Sequence, residues 1–334
     1  MHERKLIQSI LEQAQVHGPA PLLKKGIGDD CAIFANATAA DWLVSADMLV
    51  EDVHFSTSWH PPFVLGRKSL AVNISDIAAM GGQPRFALLC IGLPPTCEEA
   101  WTAAFMAGVF SQLAEQGCTL IGGDTVAAAK ITISVTVLGT VGAGGALTRD
   151  GAHPGDVVYV SGTLGSAAAG LYLLKNGLTD HLGEPNNRYR RLTEQLLDPM
   201  PQLELARILQ QSGMVTAMQD ISDGIATDLS HICTASGQGA RIFERALPAD
   251  EELLAMCREF YLEPTPFQVK GGEDYQLLFT APKECGPKLE RLVSAQCGRS
   301  LYRVGEICPG QGVSLVNRSG LVVAIDYQGY EHRA

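Results

Sequence analysis

The sequence predicts a mixed α/β chain folded as two domains, and three observations carry that expectation. Its 334 residues are about twice the length of a common domain. Helix-type and strand-type apolar periods alternate through both halves. A glycine-rich, turn-forming stretch near the middle separates them: Gly142-Ala143-Gly144-Gly145, then Gly151-Ala152-His153-Pro154-Gly155-Asp156. The expected division is 1–145 and 146–334.

The elements follow in order. After Met1-His2-Glu3-Arg4-Lys5, the spacing of Leu6, Ile7, Ile10, Leu11 and Ala14 predicts an amphipathic helix without the continuous apolar centre of a signal peptide. Asp41 to Val50 reads as a strand, and Phe63 to Met80 as a helix stopped at Gly81-Gly82. Arg85 to Leu93 is an apolar strand closed by Pro94-Pro95. Glu98 to Gln116 has a helical period in Trp101, Phe105, Val109 and Leu113, ended by Gly117. Cys118 to Ile121 and Lys130 to Val141 add strands. In the second half, Val157 to Val160, Met214 to Met218, Gln276 to Thr280 and Arg303 to Ile307 read as strands. Ser166 to Leu174, Gln202 to Gln211 and Ile225 to Ala235 read as helices. The polar run Asp180 to Arg191 predicts an exposed loop. Val313 to Val316 and Leu321 to Ile325, around Asn317-Arg318-Ser319-Gly320, predict a hairpin.

Composition narrows the function. Lys and Arg number 25 against 36 Asp and Glu, a net charge of −11. That balance disfavours nucleic acid and anionic membrane as partners. No apolar run approaches the roughly 20 residues of a membrane span. The nine cysteines contain no C-x-x-C pair, so they read as free thiols in a reducing, cytoplasmic setting. There is no Gly-Lys step for a Walker loop, no Gly-x-Gly-x-x-Gly, no Gly-x-Ser-x-Gly and no His-Glu-x-x-His.

What recurs is aspartate beside glycine or at a strand end: Gly28-Asp29-Asp30, Ser45-Ala46-Asp47, Ser75-Asp76, Gly122-Gly123-Asp124, Asp220-Ile221-Ser222-Asp223-Gly224 and Gly271-Gly272-Glu273-Asp274. Any one of these is ordinarily a turn or a helix cap, as Asp223 would be before Ile225. Taken together they pose an electrostatic problem. Two carboxylates about 4 Å apart repel by roughly 4 kcal/mol at an effective dielectric near 20. Gathering several requires raised pKa values or bound cations. Oxygen ligands suit magnesium, which bridges carboxylates to phosphates, and glycine lets backbone N–H groups approach a phosphate.

At these residues the chain resembles the thiamine-monophosphate kinase family, within the aminoimidazole-ribonucleotide-synthetase-like superfamily. The resemblance runs in order through Gly26-Ile27-Gly28-Asp29-Asp30, Asp47 with Val53-His54-Phe55, Asn73-Ile74-Ser75-Asp76-Ile77-Ala78-Ala79-Met80-Gly81 and Ile121-Gly122-Gly123-Asp124-Thr125. It continues in Leu147-Thr148-Arg149-Asp150-Gly151-Ala152, Pro154-Gly155-Asp156, Asp220-Ile221-Ser222-Asp223-Gly224, Gly271-Gly272-Glu273-Asp274-Tyr275 and Asp326-Tyr327-Gln328-Gly329-Tyr330. It implies a two-domain fold with mixed sheets, whose N-terminal domain binds metal and ATP and pairs across a homodimer while the C-terminal domain completes the site. The implied reaction moves the ATP γ-phosphoryl group to thiamine phosphate, giving thiamine diphosphate. Carried over by position, Asp30, Ser45, Ala46 (by its backbone), Asp47, Asp76, Asp124, Asp220 and Asp223 would surround several magnesium ions. Met106, Gly123, Asp124, Arg149 and Ser222 would contact ATP, with Arg149 catalytic. His54, Glu273 and Tyr327 would line the thiamine phosphate site. Met106 stands where many relatives carry an aromatic, and Tyr327 where some carry tryptophan.

That reaction suits the residue types. A phosphate monoester is largely dianionic at pH 7 and needs no general base; the barrier is repulsion between anions, which cations screen. A metal-dependent phosphatase also uses clustered aspartates, and a binding protein could hold magnesium-ATP without consuming it. Selenophosphate synthetases carry a reactive Cys or Sec in an N-terminal loop, whereas no cysteine precedes Cys31 here. Hydrogenase-maturation relatives end in cysteine, and this chain ends in His332-Arg333-Ala334.

Overall fold

The computed structural model describes residues 22–35, 39–179 and 188–325; the expected N-terminal helix and Tyr327 lie outside them. The first half builds a six-stranded sheet from β1 (Leu23–Lys25), β2 (Ala32–Ala35), β3 (Ala40–Val50), β4 (Gln83–Leu93), β5 (Thr119–Ala127) and β6 (Thr132–Gly142), in the order β1-β2-β3-β6-β4-β5. Only β4 and β5 run parallel. Burial alternates strictly along β6: Ile133, Val135, Val137 and Val141 face inward, as period-two patterning requires. Two helices cover that inner face, α1 (Pro62–Ala79) and α2 (Glu99–Gln116). They approach so closely that a Cβ on Gly108 would lie 1.8 Å from the Phe63 carbonyl oxygen. The other face of the sheet carries Trp42 stacked on Phe86 and an exposed Met48.

The second half forms a seven-stranded sheet from β7 (Val157–Val160), β8 (Ala217–Asp220), β9 (Gly239–Phe243), β10 (Leu277–Ala281), β11 (Tyr302–Cys308), β12 (Gly312–Val316) and β13 (Val322–Ala324). The order is β13-β12-β9-β11-β7-β10-β8, with β9 and β12 parallel. The late hairpin forms as expected, Ser314 pairing with Ala324. Its helices are α3 (Ser166–Lys175), α4 (Arg190–Leu197), α5 (Leu203–Ser212), α6 (Ile225–Ser236), α7 (Glu251–Glu259), α8 (Pro264–Lys270) and α9 (Gly286–Cys297).

Some boundaries differ from expectation. β8 starts at Ala217, not Met214, because Ser212 and Gly213 close α5 and the Ser212 hydroxyl accepts from Met214 N–H. β5 runs on through Gly122 and Gly123, which pair with β4. α4 begins inside the expected loop, and α7, α8 and α9 lie outside the anticipated elements.

The helix α1 joins the halves. Thirteen of its eighteen residues are buried, among them Lys68, Ser69, Asn73 and Ser75; a helix buried on all sides carries no polar face. Ala78 packs into the second domain's core with Leu205, Leu209 and Phe279. Three side chains at and before α1 also hold the end of α4: Lys68 Nζ donates to Leu196 O at 2.9 Å, His60 Nε2 to Leu197 O at 3.0 Å, and Arg67 Nε to Asp198 Oδ1 at 2.9 Å. Burial and the Lys68 charge hold the His60 pKa down to about 3.

The α1–α2 crossing gives the first prediction. Gly108→Ala should lower stability by about 1–3 kcal/mol or more, the range for overpacking, read from the urea midpoint. An unchanged midpoint would mean the helices do not meet at Gly108.

Candidate active site

Three carboxylates from distant parts of the chain meet where the domains join. Asp30 follows the turn after β1, Asp76 lies in the last turn of α1, and Asp220 ends β8. One carboxylate oxygen of each lies within 4.8 Å of the others. The Ser45 hydroxyl on β3 donates to Asp76 Oδ2, and the Ser75 hydroxyl donates to Asp220 Oδ2 at 2.5 Å. The second bond ties α1 to β8 across the domain boundary.

Burial dominates the electrostatics. It pushes Asp220 up to about 7, with the charge of Asp30 adding to the effect. It pushes Asp30 up to about 6 although Arg149 pulls the other way. Asp76 is raised well above the usual carboxylate range, by burial and then by Asp47, Asp220 and Asp30. Asp47 is raised by burial too. Arg149 Nη2 donates to Asp30 Oδ1 at 2.6 Å. Burial alone would lower the Arg149 pKa, yet Asp30, Asp29 and Asp228 raise it, so this guanidinium stays charged.

The donor set fits a hard divalent cation. All three groups offer oxygen, and Asp30 Oδ2 is buried with no hydrogen-bond partner, which in an apolar setting is costly unless something else satisfies it. A cation there would offset both the burial cost and the repulsion that raise these pKa values.

Beside the cluster a cavity of about 640 Å³ opens between the domains, lined by Ala46, Asp47, His54, Asp76, Asp220, Ser222, Asp223 and Glu273 among others. Beyond Val44, β3 has no β2 partner, so the Ala46 backbone lies on an open strand edge beside the cavity. The His54 ring is fixed by its own loop: Nδ1 accepts from Val50 N–H at 2.9 Å. Glu273 sits at φ 64°, an uncommon conformation for a non-glycine residue, and its N–H donates to Ser222 O at 2.8 Å. Lys68 Nζ lies 2.8 Å from Glu273 Oε1.

Besides Asp30 and Ser45 in the cluster, four expected residues lie outside the cavity wall. Asp47, Val135, Leu89 and Gly123 form one row across four strands, so Gly123 is about 14 Å from Asp47 at three strand spacings. Strand alternation then turns Asp124 to the opposite face, where it borders a shallow depression with Met48, Cys90 and Ser134. Gly123 is required by packing, since a Cβ there would lie 1.7 Å from Leu89 O. Met106 on α2 packs against the first domain's core. Arg149 is not in the cavity wall but behind Asp30.

The structure adds two residues that the motifs alone did not single out. Asp228 is buried in the first turn of α6 and accepts from Asp223 N–H at 3.1 Å; burial and then Asp223 and Asp220 raise its pKa. An acidic residue in a first helical turn reads as dipole compensation, which hid it. Lys68 was hidden because a lysine inside an apolar helix reads as surface.

The chain matches two family models in order: the AIR synthase related protein N-terminal domain over residues 28–141 and the corresponding C-terminal domain over 153–317. Thiamine-monophosphate kinase of Salmonella typhimurium is 36% identical over 313 residues, covering 93% of each chain. The solved structure of AaThiL complexed with AMPPCP and TMP superposes with a TM-score of 0.86 at 32% identity, covering 99% of this chain and 97% of that one. Thiamine-monophosphate kinase from Stenotrophomonas maltophilia K279a superposes with a TM-score of 0.79 at 34% identity, covering 97% and 99%. The hydrogenase maturation protein HypE of E. coli, at 21% identity and a TM-score of 0.70, shares the fold. With both domains in register and about a third of its residues shared along nine-tenths of its length, the chain belongs to the thiamine-monophosphate kinase family of AIR synthase related proteins.

Proposed function

We propose that this chain is a magnesium-dependent kinase that transfers the ATP γ-phosphoryl group directly to thiamine phosphate, giving thiamine diphosphate and ADP. The observation that carries this is the meeting of Asp30, Asp76 and Asp220 at a cavity large enough for a small phosphorylated acceptor, in a chain of this family. Asp30, Asp47, Asp76, Asp220 and Asp223, with Ser45 and the Ala46 backbone, would hold magnesium. Bound there, magnesium supplies positive charge to the phosphate oxygens of both substrates.

The chain's own residues do the rest. The acceptor arrives as an anion, so no side chain has to remove a proton. Arg149 stays charged beside Asp30, where it offsets carboxylate charge and can turn toward ATP. Ser222 and Asp223 present the β8–α6 loop to the cavity, while His54 and Glu273 line its acceptor side; Tyr327 is assigned to the same substrate by the family resemblance alone.

Gly123, Asp124 and Met106 are assigned to ATP, and Asp124 to magnesium as well, through a homodimer. Asp124 faces away from the chain's own carboxylate cluster, on a sheet face that exposes Met48 and Val126; a second copy on that face would bring the two surfaces of the site together. The functional division proposed is 1–145 and 146–334. Among the described residues no helix is long and apolar enough to cross a membrane. Nine unpaired cysteines accord with a cytoplasmic location.

Asp47→Asn and Asp220→Asn should each retain the fold and lose at least about 100-fold in turnover, measured as thiamine diphosphate formed from magnesium-ATP and thiamine phosphate. Full activity in both at ordinary magnesium would remove the metal assignment. Arg149→Ala should raise the ATP requirement with thiamine phosphate affinity little changed; an unaltered ATP response would take Arg149 out of the nucleotide site. pH should act on the metal-free protein in an unusual direction. Asp30 and Asp220 have folded pKa values near 6 and 7 against about 4 unfolded. Between those values the native state holds more protons, so stability falls as pH rises from about 4 to 7. Thermal melts in chelator should therefore show a higher Tm at pH 5.5 than at pH 8, and added magnesium should restore more stability at pH 8. Equal melts at both pH values would refute the buried-carboxylate account.

A further inference from the structure

We infer that Lys68 is a positioning residue that fixes the Glu273 carboxylate as an acceptor for the exocyclic amine of the substrate's aminopyrimidine, making this pair a determinant of acceptor specificity. The inference rests on the kinase reading above and extends it to a part of the substrate far from the phosphates.

Lys68, Val72 and Asp76 all line the cavity. They are spaced four residues apart and so share one face of α1. At 1.5 Å per residue, Lys68 and Asp76 are about 12 Å apart along the helix. Asp76 marks the phosphate end. Thiamine phosphate carries its phosphate at one end, a cationic thiazolium in the middle and an aminopyrimidine at the far end. A helix face with a carboxylate, then a valine, then an ion pair spans the length of such a ligand and places a polar group at each end.

The pair itself is built to orient. The Lys68 side chain is 1% exposed, and a buried ammonium must be satisfied on several sides. It donates to Leu196 O at the end of α4 and lies 2.8 Å from Glu273 Oε1. Glu273 is 28% exposed and lines the cavity. One of its oxygens is held by Lys68, which leaves the other to accept from a ligand N–H. Its backbone is held as well, by the φ of 64° and the bond to Ser222 O. A carboxylate oxygen fixed in this way accepts from an amine and repels a carbonyl oxygen at the same position.

The test compares thiamine phosphate with oxythiamine phosphate, in which the amine is replaced by an oxo group, under magnesium-ATP. The wild-type chain should favour thiamine phosphate by about 100-fold or more in kcat/KM, as expected where a site hydrogen-bonds a substrate donor. Lys68→Met should reduce that ratio at least 10-fold and raise KM for thiamine phosphate while leaving KM for ATP unchanged. Lys68→Arg, which keeps the charge, should restore most of the ratio. A purely structural lysine would change activity toward both acceptors alike, so an unaltered ratio in Lys68→Met overturns the inference. If that variant does not fold, the Lys68→Arg and wild-type ratios decide, since no wild-type discrimination also overturns it. A wild-type chain that makes no thiamine diphosphate would fail the kinase reading instead.

Discussion

The structure depends on the burial of like charges at a domain boundary. Asp30, Asp76 and Asp220 come from three segments that no local propensity would bring together, and their mutual repulsion opposes the fold that creates them. Two kinds of interaction offset it: hydroxyl donors from Ser45 and Ser75, and the guanidinium of Arg149. Neither satisfies Asp30 Oδ2. The site is thus built short of positive charge, and that deficit is what a phosphate-transfer site needs to fill with cations rather than side chains.

Its placement follows from α1. Because both sheets pack around this helix, its residues can face the first core, the second core and the cavity at successive positions. Ile74 and Ile77 belong to the first core and Ala78 to the second, while Lys68, Val72 and Asp76 face the cavity. One rigid element therefore sets the distance between the carboxylates and the acceptor end of the site.

Much of this was legible in the sequence. Alternation marked β6, Gly117 marked the end of α2, and the recurrence of aspartates beside glycine or at strand ends pointed to Asp30, Asp76 and Asp220. What was not legible depends on strand pairing. Gly122-Gly123-Asp124 reads as a phosphate loop, yet it forms part of an edge strand whose alternation turns Asp124 to the far face. The Ser212-Gly213 helix stop displaced β8 toward its C-terminal end. Lys68 and Asp228 escaped notice because only tertiary burial distinguishes them from ordinary helix residues.

The grip of His60, Arg67 and Lys68 on residues 196–198 has a consequence for traffic through the site. Burial keeps His60 neutral throughout the physiological pH range, so this donor supplies no protonation trigger for release. Together with Ala78 in the second core, the grip makes separation of the domains an improbable route for exchanging ligands. Acceptor and product must pass through the open side of the cavity, past the loops carrying His54, Ser222 and Glu273. Those loops, rather than a hinge between the domains, border the route.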